Sequence, residues 1–66
     1  MSDMYYIYNY EVSLKGEVIR YGVGFASEDA ARRAASEEIR TLINSVEYNH
    51  LFYEDFEYSI EEVPVL

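Results

Sequence analysis

Apolar and polar residues alternate with a period of two at the start of the chain, and this pattern predicts two strands. One face of residues 4–14 carries Met4, Tyr6, Tyr8, Tyr10, Val12 and Leu14, and the other carries Tyr5, Ile7, Asn9, Glu11 and Ser13. After Lys15-Gly16 the period resumes in residues 17–25, with Ile19, Tyr21, Val23 and Phe25 on one side and Val18, Arg20, Gly22 and Gly24 on the other. Such alternation, rich in aromatic residues, is typical of half-buried strands.

The length of the turn decides which residues of the two strands face each other. A two-residue Lys15-Gly16 turn keeps the apolar residues together: it pairs Val12 with Ile19, Tyr10 with Tyr21, Tyr8 with Val23 and Tyr6 with Phe25, and it sets Glu11 opposite Arg20. A three-residue turn shifts the pairing by one and sets Glu11 beside Ile19. Because such a shift moves every side chain to the wrong face, we predict the two-residue turn.

The spacing of apolar residues changes after Ser27 and predicts a helix. Ser27 is a good N-cap, and Glu28 and Asp29 suit the first turn, where the helix dipole favours acids. Helical spacing relates Ala31, Ala34, Ala35, Ile39, Leu42, Ile43 and Val46. The opposite face offers three pairs of opposite charge four residues apart: Glu28–Arg32, Asp29–Arg33 and Arg33–Glu37.

A second alternating segment, residues 54–62, predicts a third strand. Phe56, Tyr58 and Ile60 point one way, and Asp55, Glu57, Ser59 and Glu61 point the other. A right-handed crossover from the second strand brings this strand back beside the first. We therefore predict a single α+β domain over residues 1–66, with topology ββαβ, an antiparallel sheet of order 2-1-3 and one helix on one face.

This topology divides the sheet into a covered and an uncovered face. The helix is expected to cover Tyr6, Tyr8, Tyr10, Tyr21, Val23, Phe25, Phe56, Tyr58 and Ile60. The uncovered face is expected to carry Tyr5, Ile7, Asn9, Glu11, Val18, Arg20, Asp55, Glu57, Ser59 and Glu61. Two glycines in one strand, Gly22 and Gly24, favour close approach of another backbone or of an aromatic side chain.

The distribution of charge limits the kind of partner. The 66 residues carry a net charge of −8 and no cysteine, and no lysine or arginine follows Arg40 although six acids do. Such a charge repels nucleic acid and anionic membranes and favours a basic protein surface. Since no apolar run approaches the ~20 residues of a membrane span and no leader pattern opens the chain, we expect a soluble, cytoplasmic protein.

The residue types give no support to catalysis. His50 is the only histidine, its nearest acid in sequence is Glu54, and we expect it to be an exposed loop residue. The segment Gly22-Val23-Gly24 lacks the rest of a phosphate-binding loop. Neighbouring acids such as Glu61 and Glu62 point to opposite faces of a strand and do not converge on one ion. We therefore predict no catalytic residue, no cofactor and no metal.

Acids and aromatic residues in the second half of the chain predict a surface that binds a partner. The connection before the third strand, residues 47–53, is unusually rich in large apolar groups. Since the core need not claim them, these groups and the nearby acids are candidates for an interaction edge. The predicted partner-binding residues are Glu11, Glu47, Tyr48, Phe52, Tyr53, Glu54, Asp55, Glu57, Glu61 and Glu62.

Two functions remain open from the sequence. In the first, a row of carboxylates takes the place of phosphates on a basic, nucleic-acid-binding partner and blocks it. In size and charge the chain resembles the small acidic inhibitors that phages and mobile elements encode, among them DNA mimics and anti-CRISPR proteins; this resemblance of class assigns no role to any residue. In the alternative, the chain is a structural module that forms a homodimer through its uncovered face or an edge strand, and the acids keep it soluble.

Overall fold

The first two strands and their turn form as the alternation predicts. In the computed structural model, which describes residues 5–65, β1 spans Tyr5–Leu14 and β2 spans Glu17–Phe25. Lys15 and Gly16 have φ angles of 53° and 82°. These are the positive values that a two-residue type I′ turn requires at both central positions, and that turn twists in the same sense as the strands it joins. Met4, at the predicted start of the first strand, lies outside the described residues.

The helix α1 spans Glu28–Ile43 and begins where the sequence predicts. The Ser27 hydroxyl accepts a hydrogen bond of 3.1 Å from the Ala30 N–H, which satisfies one of the donors left free at a helix start. Arg32 lies 2.7 Å from Glu28, and Arg33 lies 3.9 Å from Asp29. The third predicted pair is wrong, because Glu37 pairs with Arg40 instead, at 3.0 Å.

The C-terminal end of α1 comes earlier than predicted. Val46, assigned by its spacing to the buried side of the helix, lies beyond the end and is 92% exposed. Two side chains cap the C-terminal end of the helix. Asn44 Nδ2 donates to the Arg40 carbonyl at 3.0 Å, and Ser45 Oγ donates to the Leu42 carbonyl at 2.6 Å. Such local bonds satisfy the last carbonyls in place of a further helical turn.

The third strand, β3, spans Phe56–Val65 and pairs with β1 along its whole length. The sheet order is β2-β1-β3, all neighbours are antiparallel, and α1 packs on one face. The predicted α+β fold with ββαβ topology is therefore confirmed. The strand begins later than its alternation suggests, because Glu54 and Asp55 belong to a short 3₁₀ turn, Tyr53–Asp55.

The register between β1 and β2 differs from the predicted one after the first two pairs. Leu14 pairs with Glu17 and Ser13 with Val18, but an extra residue, Ile19, then shifts the register by one. The four predicted apolar pairs and the Glu11–Arg20 pair are therefore wrong: Val12 aligns with Arg20, Glu11 with Tyr21, Tyr10 with Gly22 and Tyr8 with Phe25. A second extra residue lies between Gly22 and Phe25, where Asn9 Oδ1 accepts a 3.0 Å hydrogen bond from the Gly24 N–H.

Packing under the helix explains this shift. Tyr10 is 6% exposed and its ring lies against Gly22, where an added Cβ would be 2.8 Å from Cζ and closer still to Cε2. The predicted partner Tyr21 would fill that space with a second large ring. A β-bulge places glycine opposite Tyr10 and sends Tyr21 to the other face.

The core is small and lies between α1 and the middle of the sheet. Its buried residues are Tyr10, Val12, Ala31, Ala35, Ile39, Leu42 and Phe56. The small side chains of Ala31 and Ala35 let the helix approach the sheet closely. Three residues expected under the helix are instead exposed: Tyr6 by 42%, Tyr21 by 73% and Val23 by 64%.

Candidate protein-binding surface

One face of the sheet has no element packed against it within residues 5–65. We call it the open face and assign residues to it from the strand register: Tyr5, Ile7, Asn9, Glu11 and Ser13 of β1, Val18, Tyr21 and Val23 of β2, and Glu57, Ser59, Glu61, Val63 and Val65 of β3. Side chains directly opposite each other on antiparallel strands share a face, so each of these rows projects to the same side. The open face combines apolar, hydroxyl and carboxylate groups.

Three carboxylates form a group on β1 and β3. Glu11 pairs with Ser59, Glu61 with Asn9, and Glu57 with Ser13. Glu11 is therefore the diagonal neighbour of both Glu57 and Glu61, a separation of ~7–8 Å in antiparallel sheets. We call Glu11, Glu57 and Glu61 the open-face carboxylates. The predicted sorting of β3 is confirmed for Glu57, Ser59 and Glu61, which project away from the helix.

A shallow concavity of about 350 Å³ lies beside two of these carboxylates. It is lined by Asn9, Tyr10, Glu11, Tyr21, Val23, Ser59 and Glu61. The exposed ring of Tyr21 is directly opposite Glu11 across the β1–β2 pair. The concavity thus brings an aromatic ring and a valine next to negative charge.

Sequence reasoning misses Tyr21 and Val23 because it carries a strict period of two through β2. The β-bulge at Ile19 reverses the faces of the residues that follow it, so Tyr21 and Val23 reach the open face while Arg20 aligns with Val12. The signal was present in the sequence, since two glycines within one strand often mark a bulge. The predicted open-face position of Arg20 is wrong for the same reason.

All five basic residues of the chain lie off the open face. Arg32, Arg33 and Arg40 are on α1, each paired with an acid of the same helix. Lys15 is in the β1–β2 turn, and Arg20 donates to the neighbouring Ile19 carbonyl at 2.7 Å. The basic side chains of the protein therefore do not neutralise the negative charge of the open face.

The structure separates Glu62 from the predicted acidic patch. Glu62 pairs with Tyr8 on the helix side of the sheet, and its Oε2 accepts a 2.8 Å hydrogen bond from the Tyr8 hydroxyl. This bond to the carboxylate, with some desolvation, raises the pKa of Tyr8. Glu62, one of the predicted partner-binding residues, therefore lies on the opposite face of the sheet from Glu57 and Glu61, because adjacent strand residues face opposite ways.

In the connection between α1 and β3, residues 44–55, several residues that were predicted to bind a partner instead make contacts within the protein. Tyr48 is half-buried, with its ring edge-on to Phe56 at 6.0 Å. Tyr53 shares a 2.9 Å hydrogen bond with Ser36. Asp55, predicted to face outward on a strand, accepts a 2.8 Å bond from the Phe52 N–H and closes the 3₁₀ turn. Tyr48 and Tyr53 thus hold the connection against the core and the helix, and Asp55 fixes its local turn.

The remaining candidates in the connection are free to contact another molecule. Phe52 is 70% exposed, and Glu47 and Glu54 are also exposed. His50 is exposed, as predicted. The structure does not bring these groups together with the open-face carboxylates into one pocket, since the concavity is lined by strand residues alone.

Among residues 5–65, no three His, Asp or Glu side chains are placed to hold a metal ion. Every buried side-chain nitrogen or oxygen in the same range has a hydrogen-bond partner. What the open face offers is exposed apolar area with fixed negative charge.

Within the described residues, no helix has the length and apolar character needed to cross a membrane. Comparison of the chain with models of protein families, with curated proteins and with solved structures finds no match.

Proposed function

We propose that the protein is a non-enzymatic binding module whose open face docks on a basic protein surface, of the kind that nucleic-acid-binding proteins present. The observation that carries this proposal is the group Glu11, Glu57 and Glu61, set among exposed apolar side chains on a face with no basic residue. A rigid sheet holds these carboxylates ~7–13 Å apart. Basic side chains that bind phosphates would meet carboxylates instead.

Charge and apolar area have separate roles in this proposal. The net charge of −8 would raise the rate of association with a cationic partner, an effect that salt reduces. The exposed side chains of Tyr5, Tyr21 and Val23 are 64–73% accessible. Their burial against the partner would slow dissociation, since exposed apolar patches mark sites of protein interaction. The consequence for a nucleic-acid-binding partner is inhibition by competition.

The decisive experiment compares two variants with the same change in charge. In the first, Glu11→Gln, Glu57→Gln and Glu61→Gln neutralise the open-face carboxylates. In the control, Glu17→Gln, Glu47→Gln and Glu54→Gln neutralise three exposed acids elsewhere. Each protein is used to capture partners from a lysate of its native cells, and captured proteins are tested for release of a fluorescent DNA duplex.

We expect the original chain and the control variant to capture the same basic protein and to displace DNA from it. The open-face variant, diluted until it sediments as a monomer, should associate at least about tenfold more slowly at low salt, and this difference should shrink as salt rises. Equal behaviour of the two variants, or a captured partner that keeps its DNA, would refute the proposal.

The exposed apolar residues also favour the alternative, a homodimer through the open face. Tyr5, Val18, Tyr21 and Val23 would all be covered in such a dimer. However, two open faces in contact would bring two groups of three carboxylates together with no base between them. This repulsion makes a cationic partner the better fit.

A further inference from the structure

The outer edge of β3 is a second surface with a defined geometry. Within residues 5–65, the strand order leaves β3 with one paired side, toward β1, and one unpaired side. Its ten residues pair with β1 in unbroken register from Phe56 to Val65. A straight edge strand presents a row of free N–H and C=O groups, which is a template for another strand.

The two edges of the sheet differ in this respect. β2, the other edge strand, is interrupted by two register shifts, and Gly24 within it has a φ of 83°. Bulges twist an edge strand and disturb the pattern that an incoming strand must match. β3 has no register shift, no lysine and no glycine, and its one proline is its second-last residue, Pro64.

Pro64 also indicates which residues of β3 direct their backbone N–H and C=O groups to the outer edge of the sheet. Proline has no N–H and is accommodated in an edge strand where that N–H would point away from the neighbour. Pro64 pairs with Tyr6, and we therefore assign its backbone nitrogen, which carries no hydrogen, to the outer side of the strand. Because hydrogen-bonding direction alternates along a strand, Tyr58, Ile60 and Glu62 direct their N–H and C=O groups to the outer edge.

We propose that β3 accepts an extended basic segment of the partner as a fourth strand. This inference rests on the proposed function and specifies its partner: a segment in which basic residues alternate with apolar ones. Basic residues would lie on the open face opposite Glu57 and Glu61, and apolar residues would lie on the helix side opposite Tyr58 and Ile60. Backbone bonds supply the pairing, and the alternating side chains supply selectivity.

A second copy of this chain is a poor occupant of the same edge. An antiparallel pair of β3 strands centred on Ser59 would set Glu57 of each copy opposite Glu61 of the other. A pair centred on Glu57 or on Glu61 would set that carboxylate against itself. A pair centred on Tyr58 or on Ile60 would make the Glu57 or the Glu61 side chains of the two copies diagonal neighbours. Like charges directly opposite on neighbouring strands are destabilising. The same positions are favourable for a strand that carries lysine or arginine.

The test uses synthetic peptides of nine residues in which lysine and valine alternate, with both ends blocked. Two N-methylated versions have the same charge and the same side chains: one is methylated at the valines, the other at the lysines. In an antiparallel fourth strand with its lysines opposite Glu57 and Glu61, the valine N–H groups point toward β3 and the lysine N–H groups point away. Valine methylation should therefore weaken binding more than about tenfold, while lysine methylation should have little effect.

Amide exchange observed by NMR gives a second readout on the intact chain. Binding of the unmethylated peptide should slow hydrogen exchange at the amides of Tyr58, Ile60 and Glu62. A control peptide with serine in place of lysine should bind more weakly, as should the lysine peptide with the variant Glu57→Gln, Glu61→Gln.

The outcomes separate this inference from the proposed function. If both methylated peptides bind equally well and only the charge of the peptide matters, the partner contacts the acidic face without adding a strand, and the fourth-strand inference is wrong. If methylation discriminates but the serine peptide binds as tightly as the lysine peptide, the edge is not selective for a basic segment and the inference is again wrong. If no peptide binds, the fourth strand is refuted, while capture and DNA displacement still decide the proposed function.

Discussion

At the scale of single residues, Tyr10 shows how a polar group is accommodated in so small a core. Its hydroxyl donates to Glu38 Oε1 at 2.9 Å while its ring is 6% exposed. Burial, together with the hydrogen bond to the Glu38 carboxylate, raises the pKa of Tyr10 to about 12 from its ordinary 10.0. Because folding favours the neutral phenol, this residue's contribution to stability is complete below pH 10 and is lost as the pH rises toward 12.

The substitution Tyr10→Phe should therefore have two effects. At pH 7 it should lower the free energy of unfolding by about 0.5–1.5 kcal/mol, the usual contribution of one hydrogen bond. It should also flatten the decline of stability between pH 10 and 12, since the group that titrates is gone. Urea titrations at pH 7, 10 and 11 measure both effects. If the variant keeps the full decline, Tyr10 is not its source; Tyr21→Phe, which removes a hydroxyl from a side chain that is 73% exposed, is the matched control.

Gly22 is the residue on which the position of Tyr10 depends. In Gly22→Ala the new Cβ would meet the Tyr10 ring, which is packed in the core with its hydroxyl bonded to Glu38. We expect a loss of about 1–3 kcal/mol, as for other overpacked cores. Gly16→Ala is the control: its φ of 82° is strained for alanine, but nothing lies within 4 Å of the added Cβ. Thermal melts compare the two, and a smaller loss for Gly22→Ala would contradict the packing argument.

At the scale of elements, α1 is held by one narrow stripe that ends before Val46. Ile39 is fully buried between the helix and the sheet, whereas Val46 is 92% exposed. Ile39→Ala should lower the free energy of unfolding by about 2–5 kcal/mol, because it removes buried methyl groups and leaves a cavity. Val46→Ala should change it by less than about 0.5 kcal/mol. Chemical denaturation decides between this boundary and the longer helix that the spacing suggests: a large effect at Val46 would favour the longer helix.

The elements also show which features a sequence reveals. Alternation, the Ser27 cap and the order of elements sufficed for the fold, because each is a local signal with one favoured geometry. The two glycines of β2 indicate a bulge but not its position, since that depends on the space that Tyr10 needs beneath α1 and on having Gly22 there. That one shift moved Tyr21 and Val23 onto the candidate site. The uses of Tyr48 and Asp55 were missed for a similar reason, because they pack within a connection whose path no periodicity describes.

At the scale of the whole molecule, the elongated shape reflects a fold of two layers, a sheet and a single helix. The molecule measures 52 × 19 × 15 Å, and its radius of gyration of 13.6 Å exceeds the ~11 Å expected for a compact chain of this length. One sheet face stays uncovered, with Tyr5, Tyr21 and Val23 exposed on it. Apolar area of this kind promotes self-association unless charge opposes it. We therefore expect the open-face carboxylates to oppose self-association as well, whether or not a partner is present.

This role predicts how the oligomeric state responds to charge. The original chain should sediment as a monomer at 0.15 M salt, where charges within the Debye length of ~8 Å still repel. The variant Glu11→Gln, Glu57→Gln, Glu61→Gln should form dimers, because the apolar residues remain and the repulsion is gone. The control variant Glu17→Gln, Glu47→Gln, Glu54→Gln should stay monomeric despite an equal change in net charge. Adding Tyr21→Ser to the open-face variant should restore the monomer, since it removes the most exposed ring of the open face. Sedimentation velocity distinguishes these states, and a salt-independent dimer of the original chain would instead make the homodimer the correct function of the open face.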